Sequence, residues 1–290
     1  MTASQSGIHQ SGEPPGRGAD AWATVFDEAA NAFVTLAAPL WDPLGSMLAE
    51  RARPRPGERV LDACCGAGAS ARPAAHAVGE AGRVDAVDVA SALIAAGRRA
   101  APELPQLRFI HGDVTAWQPE DGAYDLVQSG FGVFFLPDMD AGSRHLISLL
   151  RPGGRLAVQT WRAGALTGFT RCLIEAVTDQ IPQLADRSPA SKSASDRIDS
   201  ASKLRKWFTE LGLRDVQARE SPHSVPLTPD LAWNLVCGTG FRALIAGCDE
   251  KATRLIHAGL LARIAQRGLT ELDVGSLIGT GIKPVGSPGI

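Results

Sequence analysis

Three aspartates each close a short apolar run, and a pair of glycines stands beside the first. Asp62 follows Val60-Leu61, Asp88 follows the run at 83–87, and Asp113 comes just after the run at 107–111. Between Asp62 and an alanine-rich stretch lies Ala63-Cys64-Cys65-Gly66-Ala67-Gly68-Ala69-Ser70. Glycine accepts left-handed dihedrals and close backbone approach, so Gly66 and Gly68 let main chain lie flat against a ligand. The stretch after them reads as helix, and its first N–H groups and positive dipole end face whatever sits in the turn. A carboxylate in that cradle repels phosphate and suits an ammonium group. Asp88 falls twenty residues beyond Gly68, where a carboxylate accepts from both hydroxyls of a ribose; capping the helix after it is its plainer role. Asp113, taken alone in Gly112-Asp113, is a turn residue, and the glycine pair alone is equally a tight strand–helix turn with no ligand.

These residues need strands that end together. From residue 58 the chain alternates between strand and helix: strand one ends at Asp62, and a helix covers about 70–78. Strand two runs 83–87, a helix 91–101, strand three 107–111 and strand four 124–128. A Gly/Phe-rich loop leads to a helix over 138–150 and to strand five at 155–160. This rhythm predicts a mainly parallel sheet with helices on both faces. By strand alternation Asp85 should face outward or away from the site. Ahead of it, residues 22–53 read as two helices interrupted at Pro39, and 54–57 as a linker. Beyond Trp161 the rhythm changes. Helices are expected at 168–181, 202–211, 230–246 and 249–266, a surface loop at 185–200, strand six at 213–220 and one last alternating strand at 272–282.

The turn at Asp62 resembles motif I of the class I methyltransferases that use S-adenosylmethionine. Gly66-x-Gly68-x-x-Ala71 also satisfies the dinucleotide fingerprint of nicotinamide oxidoreductases, and downstream matches separate the two. His111-Gly112-Asp113-Val114 resembles the methyltransferase segment that reads adenine. Tyr124-Asp125-Leu126-Val127-Gln128-Ser129 resembles the motif IV strand, and Leu150-Arg151-Pro152-Gly153-Gly154 the turn into strand five. Gly130-Phe131-Gly132-Val133-Phe134-Phe135 resembles the aromatic loop of the ubiquinone/menaquinone-type subfamily; two of those three phenylalanines are expected in the core and one in an acceptor pocket. Residues 26–33 resemble the same subfamily's N-terminal lid, with Phe33 where tyrosine is frequent.

The resemblance implies a Rossmann-like α/β fold: seven strands, mostly parallel, with an antiparallel last strand, an N-terminal helical lid and a C-terminal helical cap. It implies four regions: a disordered tail at 1–19, the lid at 20–53, the cofactor-binding core at 54–161, and the rest of the sheet with an inserted cap at 162–290. It implies that S-adenosylmethionine is bound by Asp62, Cys64, Gly66, Gly68, Asp88, Val89, Asp113, Val114, Ser129 and Phe33, with S-adenosylhomocysteine as product. The expected activity is methyl transfer to O, N or C of a small aromatic or apolar metabolite, in secondary metabolism or on a quinone-like substrate. The alternatives are an NAD(P)-dependent oxidoreductase and a homologue that binds S-adenosylmethionine without methylating. No general base stands out. His111 and His145 read as packing residues, and His223, near the cap, is the best of a poor set. Trp233 in the cap suits a small-molecule acceptor.

Composition agrees. The 290 residues carry a net charge of −2, which offers no footprint for nucleic acid or an anionic membrane surface. The five cysteines follow no metal or disulfide spacing, so no metal is expected. No apolar run reaches a membrane span and residues 1–19 lack a signal-like apolar core, so the cytoplasm is the expected compartment. A homodimer that exchanges its N-terminal helices is an admissible assembly.

Overall fold

The computed structural model describes residues 19–182 and 194–285. Its framework is a seven-stranded sheet in the order β3-β2-β1-β4-β5-β9-β6, in which β9 alone runs antiparallel to its neighbours. Strands β1 (Arg59–Ala63), β2 (Arg83–Asp88), β3 (Leu107–His111) and β4 (Tyr124–Gly130) are parallel. They are also apolar on both faces, as a doubly covered parallel sheet requires. On one face Val60, Val84, Leu126 and Ala157 pack beneath α2 (Asp42–Ala52) and α3 (Ala71–Val78). On the other, Leu61, Val127, Leu156 and Val158 meet α5 (Met139–Ser148) and α7 (Ala201–Glu210).

The interruption expected at Pro39 is a single π turn, Ala37–Trp41, between α1 (Ala19–Thr35) and α2. Proline has no N–H to give to the helical ladder, and the turn rejoins it with Leu40 and Trp41 both donating to the Leu36 carbonyl. The two helical segments meet at 79°, which carries α1 across the carboxyl edge of the sheet. There Asp27 accepts from the Ala92 N–H at 2.8 Å, at the start of α4 (Ser91–Ala100), and Glu28 pairs with Arg242 at 2.9 Å. Gly238, ending α8 (Pro229–Gly238), lies so close to α1 that a Cβ there would come within 2.6 Å of the Phe33 nitrogen. No single helix among the described residues is long and apolar enough to cross a membrane.

Four expectations need correction. Residues 272–282 are not one strand: β8 (Glu271–Asp273) pairs with β7 (Ser224–Pro226) in a separate two-stranded sheet, and β9 (Ser276–Ile282) enters the main sheet between β5 (Leu150–Trp161) and β6 (Arg214–Ser221). The break lies at Gly275, whose N–H is taken by Asp273 and whose Cα rests against Arg162. Secondly, the helix expected over 230–246 stops at Gly238. Thr239 then caps a 3₁₀ turn, Gly240–Leu244, by accepting from the Phe241 N–H. Thirdly, of the two placements expected for Asp85, it is turned away from the cavity but does not face outward. It is buried, accepting from Tyr124 Oη at 2.7 Å and Arg108 Nε at 2.9 Å. Lastly, of the segment expected as a surface loop, 185–193 lies outside the described residues, while Ile198 is fully buried. The tail also lies outside them, apart from Ala19.

The C-terminal part forms a third apolar cluster, in which α6 (Thr167–Thr178), α8 and α9 (Glu250–Gln266) close around Phe169, Leu173, Leu235 and Leu260. It stands over the sheet edge next to α1.

Candidate active site

The turn after β1 is built from left-handed residues: Cys64 at φ 57°, Gly66 at 55° and Gly68 at 89°. Cys64 adopts this conformation without being glycine, at a cost of order 1–3 kcal/mol that the surrounding packing must offset. Each glycine has a distinct reason. A Cβ on Gly66 would sit 3.0 Å from the Phe33 ring, and one on Gly68 would be driven to 2.5 Å from Phe109. Gly66 thus brings backbone under α1, and Gly68 lets α3 pack down on β3.

Asp88, at the end of β2, reaches back to this turn. One carboxylate oxygen accepts from the Gly66 N–H and the other from the Ala90 N–H, both at 2.8 Å. Burial pushes its pKa up, and the two N–H groups hold it back. Asp113 is oriented by Thr115, whose N–H and hydroxyl both donate to Oδ1 at 2.8 Å. Because β3, β2 and β1 are neighbours, the three expected carboxylates stand in a row. Their fields converge on Cys64, whose thiol is pushed well above its ordinary pKa by burial first and then by Asp88, Asp62 and Asp113.

Asp62 differs from the other two. It is fully buried, with Ser70 Oγ (2.7 Å) and Gln128 Nε2 (2.9 Å) both donating to Oδ2, while Oδ1 has no donor. Burial raises its pKa to about 6, against the pull of those two bonds and with help from the Asp88 charge.

A cavity of about 1450 Å³ opens along this edge, larger than the roughly 300–1,000 Å³ of a pocket for one small ligand. Of the residues expected at the site, Phe33, Cys64, Gly66, Asp88, Val89, Asp113 and Val114 line it; Asp62, Gly68, Ser129 and His223 do not. Ser70 stands between Asp62 and the space. Gly68 serves packing, and Ser129 is buried beneath Gly132. His223 sits in the link from β6 to β7, where its carbonyl accepts from the Val274 N–H. His111 Nε2 lies 3.0 Å from the Val89 carbonyl and His145 Nε2 2.9 Å from that of Trp117. Trp233 stacks on His257 at 4.2 Å, away from the cavity.

The far half of the cavity takes Leu166, Ile174, Leu235, Phe241 and Leu244 from the cap, with Thr167, Thr170 and Thr239 among them. Between the halves runs an aromatic wall. Phe33 stacks on Trp41 (5.1 Å, 18°), Trp41 leans on Trp161 (6.4 Å), and Trp161 meets Phe131 at 4.1 Å. Phe131 takes a left-handed φ of 55°, and Gly132 after it settles against Cys64, which aims the Phe131 ring along the wall. All three phenylalanines of this loop line the cavity, more than the single one expected. Sequence reasoning missed Trp41, Trp161, Gln128 and Gln159. The two glutamines carried a signal, being polar residues inside otherwise apolar central strands.

A family model described as a methyltransferase domain matches residues 60–154. Aklanonic acid methyltransferase DauC of Streptomyces sp. strain C5 is 31% identical over 167 residues, covering 55% of this chain and 76% of that protein. Demethylmenaquinone methyltransferase of Bacillus mycoides is 30% identical over 174 residues, covering 57% and 73%. Among solved structures, the [4+2]-cyclase SpnF superposes with a TM-score of 0.57 at 20% identity, over 94% of this chain and 97% of that one. The Bacillus subtilis protein YcgJ does so at 0.54 and 18%, over 84% and 99%. At these identities the two structures speak for the fold alone.

Proposed function

The chain belongs to the class I S-adenosylmethionine-dependent methyltransferases of the quinone and small-molecule type, and on that premise we propose that it methylates a flat, largely apolar aromatic metabolite at O, N or C. Methyl transfer to a small-molecule acceptor is the family's activity, and it sets aside the nicotinamide alternative. The acceptor class is our reading, and one observation carries it: a cavity roomy enough for two molecules, with an aromatic wall and, on the far side, mainly apolar cap residues interspersed with threonines.

The residues present fit the cofactor. Asp88 retains lone pairs for two ribose hydroxyls, and Asp113 keeps Oδ2 for an amino group on adenine, with Val114 against the ring. Gly66 supplies bare backbone under Phe33, and Oδ1 of Asp62 is a buried acceptor short of a donor, at the end where an ammonium belongs. Bound there, S-adenosylmethionine supplies a methyl group already activated by a positive sulfur, leaving S-adenosylhomocysteine.

The chain's own part is then geometric. Phe131 and Trp161 offer aromatic surface to the acceptor ring, and Phe33 and Trp41 shield the site from water. Fixing two reactants in line is worth roughly 7–11 kcal/mol of barrier. No histidine lines the cavity among the described residues, so we assign no general base. The acceptor's proton passes to water at the cavity mouth.

Titration calorimetry with S-adenosylhomocysteine, followed by turnover of methyl-labelled S-adenosylmethionine across naphthols, hydroquinones and aromatic carboxylic acids, tests this. Saturable binding with label appearing on one of these acceptors is expected. Binding of the product with label transferred only to polar aliphatic amines would overturn the acceptor class.

A further inference from the structure

Across the carboxyl edge of β1, β4 and β5 runs a buried polar tier of which the family reading uses Asp62 alone. Asp62 on β1 pairs in register with Gln128 on β4, and two residues further Gly130 pairs with Gln159 on β5. Asp62, Gln128 and Gln159 are all at most 1% exposed. Gln128 donates from Nε2 to Asp62 Oδ2 and, at 3.1 Å, to the Ser70 carbonyl. Gln159 donates from Nε2 to Ser276 Oγ at 3.0 Å. That bond turns its Oε1 toward Gly130: a Cβ placed there would lie 3.8 Å from it and 3.9 Å from Ser70 Oγ. The result is three buried acceptor oxygens, Asp62 Oδ1, Gln128 Oε1 and Gln159 Oε1, none with a donor. A buried acceptor left bare costs about 1–3 kcal/mol, so a tier with three of them is built for something that arrives. The cavity floor beside it is formed by Gly45, Ser70, Gly130 and Gln159. Gly130 leaves open space beside the tier, where a Cβ would meet nothing nearer than Leu48 Cδ2 at 3.4 Å, whereas Gly45 lets its helix pack directly on the backbone of Ala69 and Ser70.

Resting on the cofactor reading above, we propose that Gln159, with Gln128 bracing Asp62, completes the seat of the cofactor's α-ammonium group, so that Gln159 is a cofactor-positioning residue on β5. An ammonium has three N–H donors and no acceptor. Gln159 lines the cavity and carries a bare acceptor oxygen, while Asp62, set behind Ser70, supplies the carboxylate that balances the charge. Asp88 is the other charged group acting on Asp62, and an arriving cation relieves the repulsion between the two. The seat also fixes the methionine arm next to Trp161, two residues along β5, where the aromatic wall begins.

The test compares two ligands that differ in this arm. S-adenosylhomocysteine carries the ammonium; 5′-methylthioadenosine keeps the adenosine and sulfur without it. In Gln159→Leu, calorimetry should show S-adenosylhomocysteine binding weakened roughly ten- to hundred-fold, the size of one hydrogen bond to a charged group. Binding of 5′-methylthioadenosine should stay within two-fold, which also reports that the protein is folded. Gln159→Glu, isosteric and anionic, should restore the loss. Weakening of both ligands alike in both variants, or of neither, overturns the proposal. If the unaltered protein binds neither ligand, the cofactor reading itself fails instead.

Discussion

The two halves of the cavity are made in opposite ways. The half at β1, β2 and β3 is set by backbone: left-handed turn residues, and carboxylates each clamped by main-chain or neighbouring donors. The half beneath α6 and α8 is set by side-chain packing, with Leu166, Leu235, Phe241 and Leu244 meeting across elements far apart in the chain. Backbone construction gives one binding solution and little room for change. Packing gives a surface whose shape follows whichever side chains are present. One scaffold thereby keeps a single donor while its acceptors diverge.

Four perturbations sharpen or break that contrast. The largest effect belongs to Asp88→Ala, which deletes the proposed ribose acceptor and strands the Gly66 and Ala90 N–H groups. S-adenosylhomocysteine affinity should fall at least about hundred-fold, read by calorimetry, and a loss under five-fold would mean the backbone-built half is not the donor site. Next comes Asp62. Its folded pKa of about 6 lies above the ordinary 3.8, so the native state holds a proton that the unfolded chain has released. Between those values ligand-free stability must fall as pH rises, by roughly 3 kcal/mol in all. Asp62→Asn should remove the slope and stabilise the ligand-free protein at pH 7 in urea unfolding, yet bind S-adenosylhomocysteine less well. In the unaltered protein that binding should weaken below about pH 6, because the proton competes with the cation. A flat stability profile from pH 4 to 7 would refute the buried-charge account.

Smaller effects are expected in the packed half. Phe241→Ala should raise the acceptor KM by about ten-fold, the loss of part of an apolar wall, without moving S-adenosylhomocysteine affinity. If both shift together, the two halves are not separable. Least of all, His223→Ala should keep turnover within two-fold, since its ring lies outside the cavity.

The same contrast decides what could be read from sequence. Asp62, Gly66, Asp88 and Asp113 announce themselves because a turn and a strand end are local, and spacing along the chain preserves their order in space. Asp85 misled because the partners that allow its burial, Arg108 and Tyr124, come from two other strands. Alternation over 272–282 is the same whether the segment joins one sheet or two, and only the packing of Arg162 against Gly275 divides it. The aromatic wall gathers Phe33, Trp41, Phe131 and Trp161 from four separate stretches, and nothing in any one of them points to the others. Gln128 and Gln159 occupy the ground between: each is conspicuous in its strand, but their common purpose emerges only when register sets them side by side.

Helix α1 touches both halves, gripping the start of α4 through Asp27 and the cap through Glu28 and Arg242, with Phe33 resting over Gly66. Seventeen residues thus form one shutter for two tenants. With the proposed donor and acceptor in place, whatever raises it to discharge a spent donor would also loosen the hold on the newly methylated product, so the two departures would share a clock, and a slow clock there would set the pace of the whole cycle however fast the chemistry beneath it.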